Sequence, residues 1–231
     1  MNTKAEIKRG FTTSIPIILG YIPVAMSCGL LSKSSGISII DTVSMSFFVF
    51  AGASQFMAID MIVQGLSYSS IILATFLLNL RHLMMSASLS LDFKDIERKY
   101  IPLVAFGVTD ESFSLISFHK KNLSLPFILS LFFSAHAAWW VGNIIGYLVG
   151  EVLPKSLQSS MSIGFYAMFA GLLFSQVKEN RKVLTLSLIS MAIYIFIYGL
   201  KIMGSGWDII LGIIISSAIG SFIFGNRGEE R

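Results

Sequence analysis

Long segments without any Asp, Glu, Lys or Arg constrain this chain more than any other feature of its sequence. A helix that crosses about 30 Å of hydrocarbon needs about 20 mostly apolar residues. In lipid the backbone polar groups are satisfied only in helices or closed barrels, and the ten-residue alternation typical of barrel strands is absent. The sequence therefore predicts an all-α integral membrane protein. The uncharged segments are Phe11–Ser32, Thr42–Ile59, Met61–Leu80, Asn122–Gly150, Ser156–Val177, Val183–Leu200 and Ile209–Asn226.

The composition supports a polytopic bundle of about seven to eight transmembrane helices. Hydrophobic residues make up 54% of the 231 residues and charged residues 13%, whereas a soluble domain carries about 25% charged residues. The connections between spans are short, so residues 1–231 are expected to form a single transmembrane domain. The spans are expected near residues 12–31, 42–63, 69–90, 101–118, 126–149, 159–176, 183–202 and 208–225.

The orientation follows from the distribution of Lys and Arg between the two sides. With eight spans, ten basic residues lie on the side of the N-terminus and six on the other, which favours a cytoplasmic N-terminus. The second span is open to another interpretation, because Ala51–Ser54 could support a broken or re-entrant helix. The net charge of +4 is modest and requires no nucleic-acid partner.

The third span contains polar residues that a lipid-facing helix does not explain, namely Asn79, Arg81 and His82. A charge at the bilayer centre costs at least about 2.5–3.5 kcal/mol, so Arg81 needs a partner or water. The fourth span offers Asp110 and Glu111. Both helices reach similar depths from the turn that joins them, given a rise of about 1.5 Å per residue. We therefore expect one of the two acids to pair with Arg81.

One arginine facing two acids leaves one carboxyl group without a cation. In a low-dielectric site such a group tends to hold a proton, as a proton-coupled transporter would require. His82 adds a group that can titrate near neutral pH. The alternative is that Arg81, Asp110 and Glu111 form a buried ion pair that only fixes the helix register.

Other candidate substrate-binding residues lie where a break in a helix could expose backbone N–H and C=O groups. Gly52, Ser54 and Gln55 in the second span could admit a solute, or could simply allow close helix packing. Gly20 and Pro23 in the first span predict a kink, which is either an unwound turn that exposes backbone groups or a bend accommodated by helix packing.

The fifth span carries His136, Trp140 and Asn143 on one face by their spacing, with Trp139 beside them. This face is interpreted either as a pocket wall that includes Trp140 or as a packed interior. Asp60 lies nearer a span end and ranks below Asp110 and Glu111.

Repeats and motifs add little to these candidates. A faint internal repeat relates Phe50–Gly52 to Phe169–Gly171. The sequence lacks H-E-x-x-H, the G-x-x-x-x-G-K-[ST] loop and any cluster of Cys and His. An enzyme, a metal and a cofactor are therefore not expected. A channel is disfavoured because no ring of charges or filter-like repeat is visible.

Three motifs together resemble the large subunit of the AzlC-type branched-chain amino acid exporters. They are Phe50–Phe56 (FAGASQF), Asn79–Leu89 (NLRHLMMSASL) and Thr109–Phe113 (TDESF), with weaker agreement at Gly20, Pro23, Gly29 and Trp140–Gly146. The resemblance implies a secondary exporter in the bacterial cytoplasmic membrane for leucine, isoleucine and valine, with methionine or analogues as further substrates. It also implies a small multi-span AzlD-type subunit. The alternatives are a permease or channel-like protein for another small solute and, less favoured, an intramembrane enzyme.

Overall fold

The computed structural model describes residues 3–93, 96–119, 123–152, 181–200 and 207–224, together with isolated residues between 154 and 178. The predicted span near 159–176, and with it the repeat at Phe169–Gly171, lies outside the continuously described residues. The helices are α1 (Thr3–Ser34), α2 (Ile39–Phe48), α3 (Gly52–Val63), α4 (Tyr68–Ser90), α5 (Ile101–Phe106), α6 (Asp110–Phe118), α7 (Leu125–Val149), α8 (Arg181–Leu200) and α9 (Trp207–Phe224), with short 3-10 turns at Arg98–Tyr100 and Gly150–Val152.

The described ranges are helical and contain no strand, as the sequence predicts. By length and composition, four of the described helices could each cross a membrane: α1, α4, α7 and α8. The predicted number of seven to eight spans is thus not confirmed. Two of the predicted spans are each divided into shorter helices, since α2 and α3 replace the second span and α5 and α6 replace the fourth.

The chain forms two compact units. The first contains Met1–Ile59 and Asn79–Phe165, and the second contains Asp60–Leu78 and Tyr166–Arg231. In the second unit α8 packs against α9, where a Cβ on Gly220 would lie 2.8 Å from the Leu186 side chain. All the candidate residues that the structure brings together belong to the first unit.

Glycines allow α1 and α7 to pack backbone against backbone in the first unit. A Cβ on Gly29 would lie 2.0 Å from the carbonyl oxygen of Asn143, and a Cβ on Gly146 would lie 2.0 Å from that of Met26. The two helices run in the same direction, because the chain near residue 10 contacts the start of α7 and Leu30 contacts Gly150 at its end. Small residues permit such close approach between membrane helices, and this pair is the frame of the unit.

The first helix is continuous from Thr3 to Ser34, although it contains Pro16 and Pro23. Of the two alternatives, the unwound turn near Gly20 and Pro23 is therefore not present, and the prolines are accommodated within the helix. A proline removes one helical hydrogen bond, and the packing of α1 along α7 on both sides of Pro23 keeps the helix intact.

The second predicted span breaks at Val49–Ala51, between α2 and α3. Phe50 adopts the left-handed region with a φ of 47°, which is uncommon for a residue with a side chain. The side-chain amide of Gln55 donates through its Nε2 to the hydroxyl of Ser46 at 2.9 Å. Residues nine apart in a continuous helix would be about 13.5 Å apart along its axis, so this contact requires the chain to bend. The broken second helix considered from Ala51–Ser54 is thus present.

The fourth predicted span, 101–118, is not one helix, and this expectation is corrected. It divides into α5 and α6 around Gly107–Thr109. The hydroxyl of Thr109 accepts from the amide of Ser112, and the hydroxyl of Ser112 accepts from the amide of Thr109, so the two residues form a capping box. Such a box satisfies amides that would otherwise lack partners and starts a new helix. The acids Asp110 and Glu111 therefore lie in the first turn of α6.

Candidate functional site

The two helix breaks meet in the first unit. The ring of Phe50, from the first break, lies 6.1 Å from that of Phe106 at the end of α5. The His136 ring from α7 lies 4.8 Å from Phe50 and 5.4 Å from Phe106. Its Nε2 is 3.0 Å from the carbonyl oxygen of Phe47, which can only accept, so this nitrogen carries the hydrogen. His136 thereby satisfies a carbonyl at the end of α2 and contacts both breaks.

Gln55 connects three helices through its side-chain amide. Its Nε2 donates to Ser46 in α2, and its Oε1 accepts from the indole Nε1 of Trp139 in α7 at 2.6 Å. Gln55 is 2% exposed and Trp139 is 3% exposed. The indole also lies over Gly52, where a Cβ would be 2.6 Å from the ring. In this conformation Gln55 holds the bend between α2 and α3.

Replacing Gln55 with leucine is expected to lower the free energy of unfolding by about 2–4 kcal/mol. The change removes two hydrogen bonds and leaves the indole N–H of Trp139 buried without its acceptor, and an unsatisfied buried polar group costs about 1–3 kcal/mol. Thermal unfolding in detergent measures the effect. Gln64→Leu is the matched control, because Gln64 is exposed and its side chain donates to Asp60, which is also exposed and lies four residues earlier, in α3. Equal losses in the two variants would contradict the role of Gln55.

The predicted ion pair is present. The Nη1 of Arg81 lies 2.7 Å from the Oδ2 of Asp110. The two side chains remain 32% and 30% exposed, so the pair lines accessible space. The Nε of Arg81 is itself buried and has no hydrogen-bond partner among the described residues. The depth argument from the sequence left Asp110 and Glu111 open as partners and assumed a continuous fourth helix, and the structure selects Asp110.

The second acid, Glu111, meets a residue that the sequence analysis missed. The hydroxyl of Tyr21 lies 2.6 Å from the Oε2 of Glu111 and 2.9 Å from the Oγ1 of Thr109. Tyr21 is 6% exposed, and its ring lies 5.3 Å from that of Trp139. A buried tyrosine hydroxyl needs a polar partner, and this requirement was the signal in the sequence that could have identified Tyr21.

A further hydrogen bond closes a ring of contacts around the two breaks. The hydroxyl of Ser54 donates to the Oδ1 of Asn79 at 2.6 Å and so joins α3 to α4. Two residues further along α4, Arg81 reaches α6. Hydrogen bonds, the ion pair, the contact between the Tyr21 and Trp139 rings and neighbouring positions on the same helix link eight residues in a closed circuit. We call this circuit the polar ring, which comprises Ser54, Asn79, Arg81, Asp110, Glu111, Tyr21, Trp139 and Gln55.

The remaining predicted residues lie beside the polar ring or away from it. His82 is half-buried next to Arg81, and Trp140 is half-buried with its ring 6.3 Å from Phe47. Gly20 and Pro23 are exposed on α1, and nothing lies within 4 Å of a Cβ on Gly20. The structure therefore does not bring Gly20 and Pro23 into the ring.

Two other residues singled out from the sequence have definite positions. Asn143 is fully buried and donates to the carbonyl oxygen of Trp139 within its own helix. Asp60 is exposed, accepts from Gln64 and belongs to the second unit. Within the described part of the chain, no three His, Cys, Asp or Glu side chains lie close enough together to hold a metal ion.

Comparison with known proteins identifies the family of this chain. Residues 16–153 match the family model described as AzlC protein. An uncharacterized membrane protein of Archaeoglobus fulgidus is 32% identical over 77% of this chain and 79% of its own length. The inner membrane protein YgaZ of Escherichia coli is 28% identical over 77% and 76%. The branched-chain amino acid transport protein AzlC of Bacillus subtilis is 26% identical over 79% and 74%.

No solved structure shows a significant match to the chain. The match to the family model, in contrast, includes the residues of the candidate site. The matched range contains both helix breaks and every residue of the polar ring. The apolar helices agree with relatives that are named membrane proteins. The chain therefore belongs to the AzlC family, is a homologue of a branched-chain amino acid transport protein and is a membrane protein.

Proposed function

We propose that this chain is the large subunit of a secondary active exporter of branched-chain amino acids, driven by protons. The observation that carries the proposal is the exposed pair of Arg81 and Asp110 beside two interrupted helices, in a homologue of an amino acid transport protein. Transporter binding sites are typically formed by interrupted helices that expose backbone groups next to charged side chains.

An amino acid is a zwitterion, and its charges suit this pair. Its carboxylate could take the place of Asp110 on Arg81, and its ammonium could take the place of Arg81 on Asp110. The exchange brings one charge of each sign into the site, so no net charge is moved into a low-dielectric region. The amides in the first turn of α3, near Gly52, would become a second contact for the carboxylate if the indole of Trp139 moved off Gly52, because a helix N-terminus favours anions.

The aliphatic side chain of the substrate needs an apolar surface near these charges. An apolar groove adjoins the second break and shares Phe106 and His136 with the contacts around Phe50. Apolar pockets discriminate by only about 1–3 kcal/mol for each methylene group. Leucine, isoleucine, valine and methionine are therefore all proposed as substrates. The groove is lined by Leu103, Phe106, Gly107, Leu129, Phe132, Phe133 and His136.

The proposal also assigns the transporter a membrane, an orientation and a partner subunit. The chain works in the bacterial cytoplasmic membrane, with its N-terminus in the cytoplasm, where the larger number of Lys and Arg residues favours it. A small multi-span AzlD-type subunit completes the exporter. These statements rest on the family and on the charge distribution.

Counterflow of labelled leucine in membrane vesicles tests the function. The chain is expressed with a candidate small subunit, and counterflow is measured with and without an imposed pH gradient. Leucine movement well above that of empty vesicles is expected, with a further increase when the gradient is imposed. The same vesicles carrying the small subunit alone are the control.

Two results would overturn the proposal. Absence of counterflow for all four aliphatic amino acids, in vesicles where both subunits are folded, would point to another small solute. Counterflow that ignores the pH gradient would remove proton coupling but leave amino acid transport.

A further inference from the structure

We propose that Glu111 carries the coupled proton, with Tyr21 as its hydrogen-bond partner, whereas Asp110 stays ionised against Arg81. The inference rests on the proposed function, because it assigns the proton of that transport cycle to one of two adjacent acids. The two carboxyl groups are neighbours in sequence, and the structure gives them different partners.

Asp110 is the acid least suited to release and take up a proton. Its carboxylate lies 2.7 Å from the guanidinium of Arg81, and it is the one carboxylate that the described residues bring against this arginine. Protonating Asp110 would leave the cation without its counter-charge in a partly buried position, which is costly. Asp110 is therefore expected to remain ionised and to be available for substrate.

Glu111 faces hydroxyl groups instead. Its Oε2 lies 2.6 Å from the hydroxyl of Tyr21, and the residue is half-buried at the start of α6. A hydroxyl can donate to a carboxylate and can accept from a protonated carboxyl group. The contact between Glu111 and Tyr21 therefore survives in both protonation states, as a group that binds and releases a proton in each cycle requires.

The other titratable groups around Glu111 are carried by α1, α4 and α7. From α1 the facing group is Tyr21, and from α4 they are Arg81 and His82, with Arg81 bound to Asp110. On α7, within the contacts that the structure describes, His136 is directed at the carbonyl oxygen of Phe47. Glu111 thus has no cation bound to it among the described residues.

Protonation of Glu111 also changes the hydrogen bonds at the break between α5 and α6. The single proton of the Tyr21 hydroxyl can serve only one acceptor at a time. When Glu111 is ionised, Tyr21 donates to it. When Glu111 holds a proton, it donates to Tyr21, and the hydroxyl of Tyr21 turns to Thr109 at 2.9 Å. Thr109 caps α6, so the charge on Glu111 changes the hydrogen bonding at the break between α5 and α6.

Infrared difference spectroscopy tests the assignment without depending on transport. The purified two-subunit complex is titrated, and the carbonyl band of a protonated carboxyl group is followed. Glu111→Gln is expected to remove this band. The double variant R81Q/D110N, which removes the ion pair without leaving a charge unpaired, is expected to keep it. Tyr21→Phe keeps the acid and is expected to move the band, because the O–H of the protonated carboxyl group loses its hydrogen-bond acceptor.

The vesicle assay gives the second measurement. The ratio of leucine counterflow with a pH gradient to counterflow without one is expected to exceed one in the unaltered protein and to fall to one in Glu111→Gln. A band that persists in Glu111→Gln, or that disappears in R81Q/D110N, overturns the assignment, as does a ratio unchanged by Glu111→Gln. Where Glu111→Gln does not fold, an unmoved band in Tyr21→Phe overturns it. Absence of counterflow in the unaltered protein refutes the transport function instead, and the infrared band still identifies the acid that binds the proton.

Discussion

Replacing Gly146 with leucine is expected to lower the free energy of unfolding by about 3 kcal/mol or more, and the melting temperature in detergent by about 6–12 °C. A Cβ on Gly146 would lie 2.0 Å from the carbonyl oxygen of Met26 and 2.5 Å from its Cα. These are backbone atoms in the middle of α1, so they can withdraw only if the whole helix moves. The larger leucine side chain would separate α1 from α7, the pair on which the first unit is built.

Gly20→Leu is the matched control for Gly146→Leu. Gly20 also lies within a helix of this pair, but a Cβ there meets nothing within 4 Å. The same addition of an isobutyl group should therefore change the free energy of unfolding by less than about 0.5 kcal/mol. Helix propensity favours leucine over glycine at both positions, so equal destabilisation by the two variants would contradict the role given to the close approach of α1 and α7 at Gly146.

Arg81→Ala is expected to reduce leucine counterflow by about 30-fold or more and to lower stability by about 1–3 kcal/mol. Removing one member of a hydrogen-bonded charge pair costs about 2 kcal/mol or more in binding, and each 1.4 kcal/mol is a factor of ten. The variant loses the proposed contact with the substrate carboxylate and leaves Asp110 without its cation. The stability effect is kept modest because both side chains are about one-third exposed and exposed ion pairs contribute little.

Two further variants sharpen this prediction. Arg81→Lys keeps the charge but not the planar fork of donors, so it should recover more of the stability than of the counterflow. Lys99→Ala is the control, because Lys99 pairs with Glu97 on an exposed turn, with side chains 63% and 67% exposed. Although the hydrogen bond to Glu97 raises the pKa of Lys99, its loss should change neither quantity. The proposed role of Arg81 would be contradicted if Arg81→Ala behaved like Lys99→Ala.

The charged part of the site could be predicted from the sequence. A lone arginine in an apolar segment demands a counter-charge, and the third and fourth apolar segments are joined by a short turn. Counting the helical rise from that turn put Arg81 and Asp110 at one depth. The observed distance of 2.7 Å confirms the pairing.

The partner of Glu111 could not be predicted in the same way. Tyr21 lies 90 residues from Glu111 in the sequence, and nothing local requires the two to meet. They meet because glycines let α1 lie close against α7, and because the capping box of Thr109 and Ser112 starts α6 where the hydroxyl of Tyr21 can reach it. Gln55 and Trp139, which are 84 residues apart, meet for a similar reason at the other break.

The sequence by itself determined that this protein is helical and lies in a membrane, and that Arg81 needs an acid. These conclusions depend on the free energy of moving each residue from water into lipid, which is a local property. Only the tertiary structure decided where the helices break, which tyrosine faces Glu111 and how Gln55 is held. A break is stable when distant groups satisfy the backbone and side-chain atoms that it releases, as His136 does for the carbonyl of Phe47, and those partners are brought together only by the packing of the whole unit.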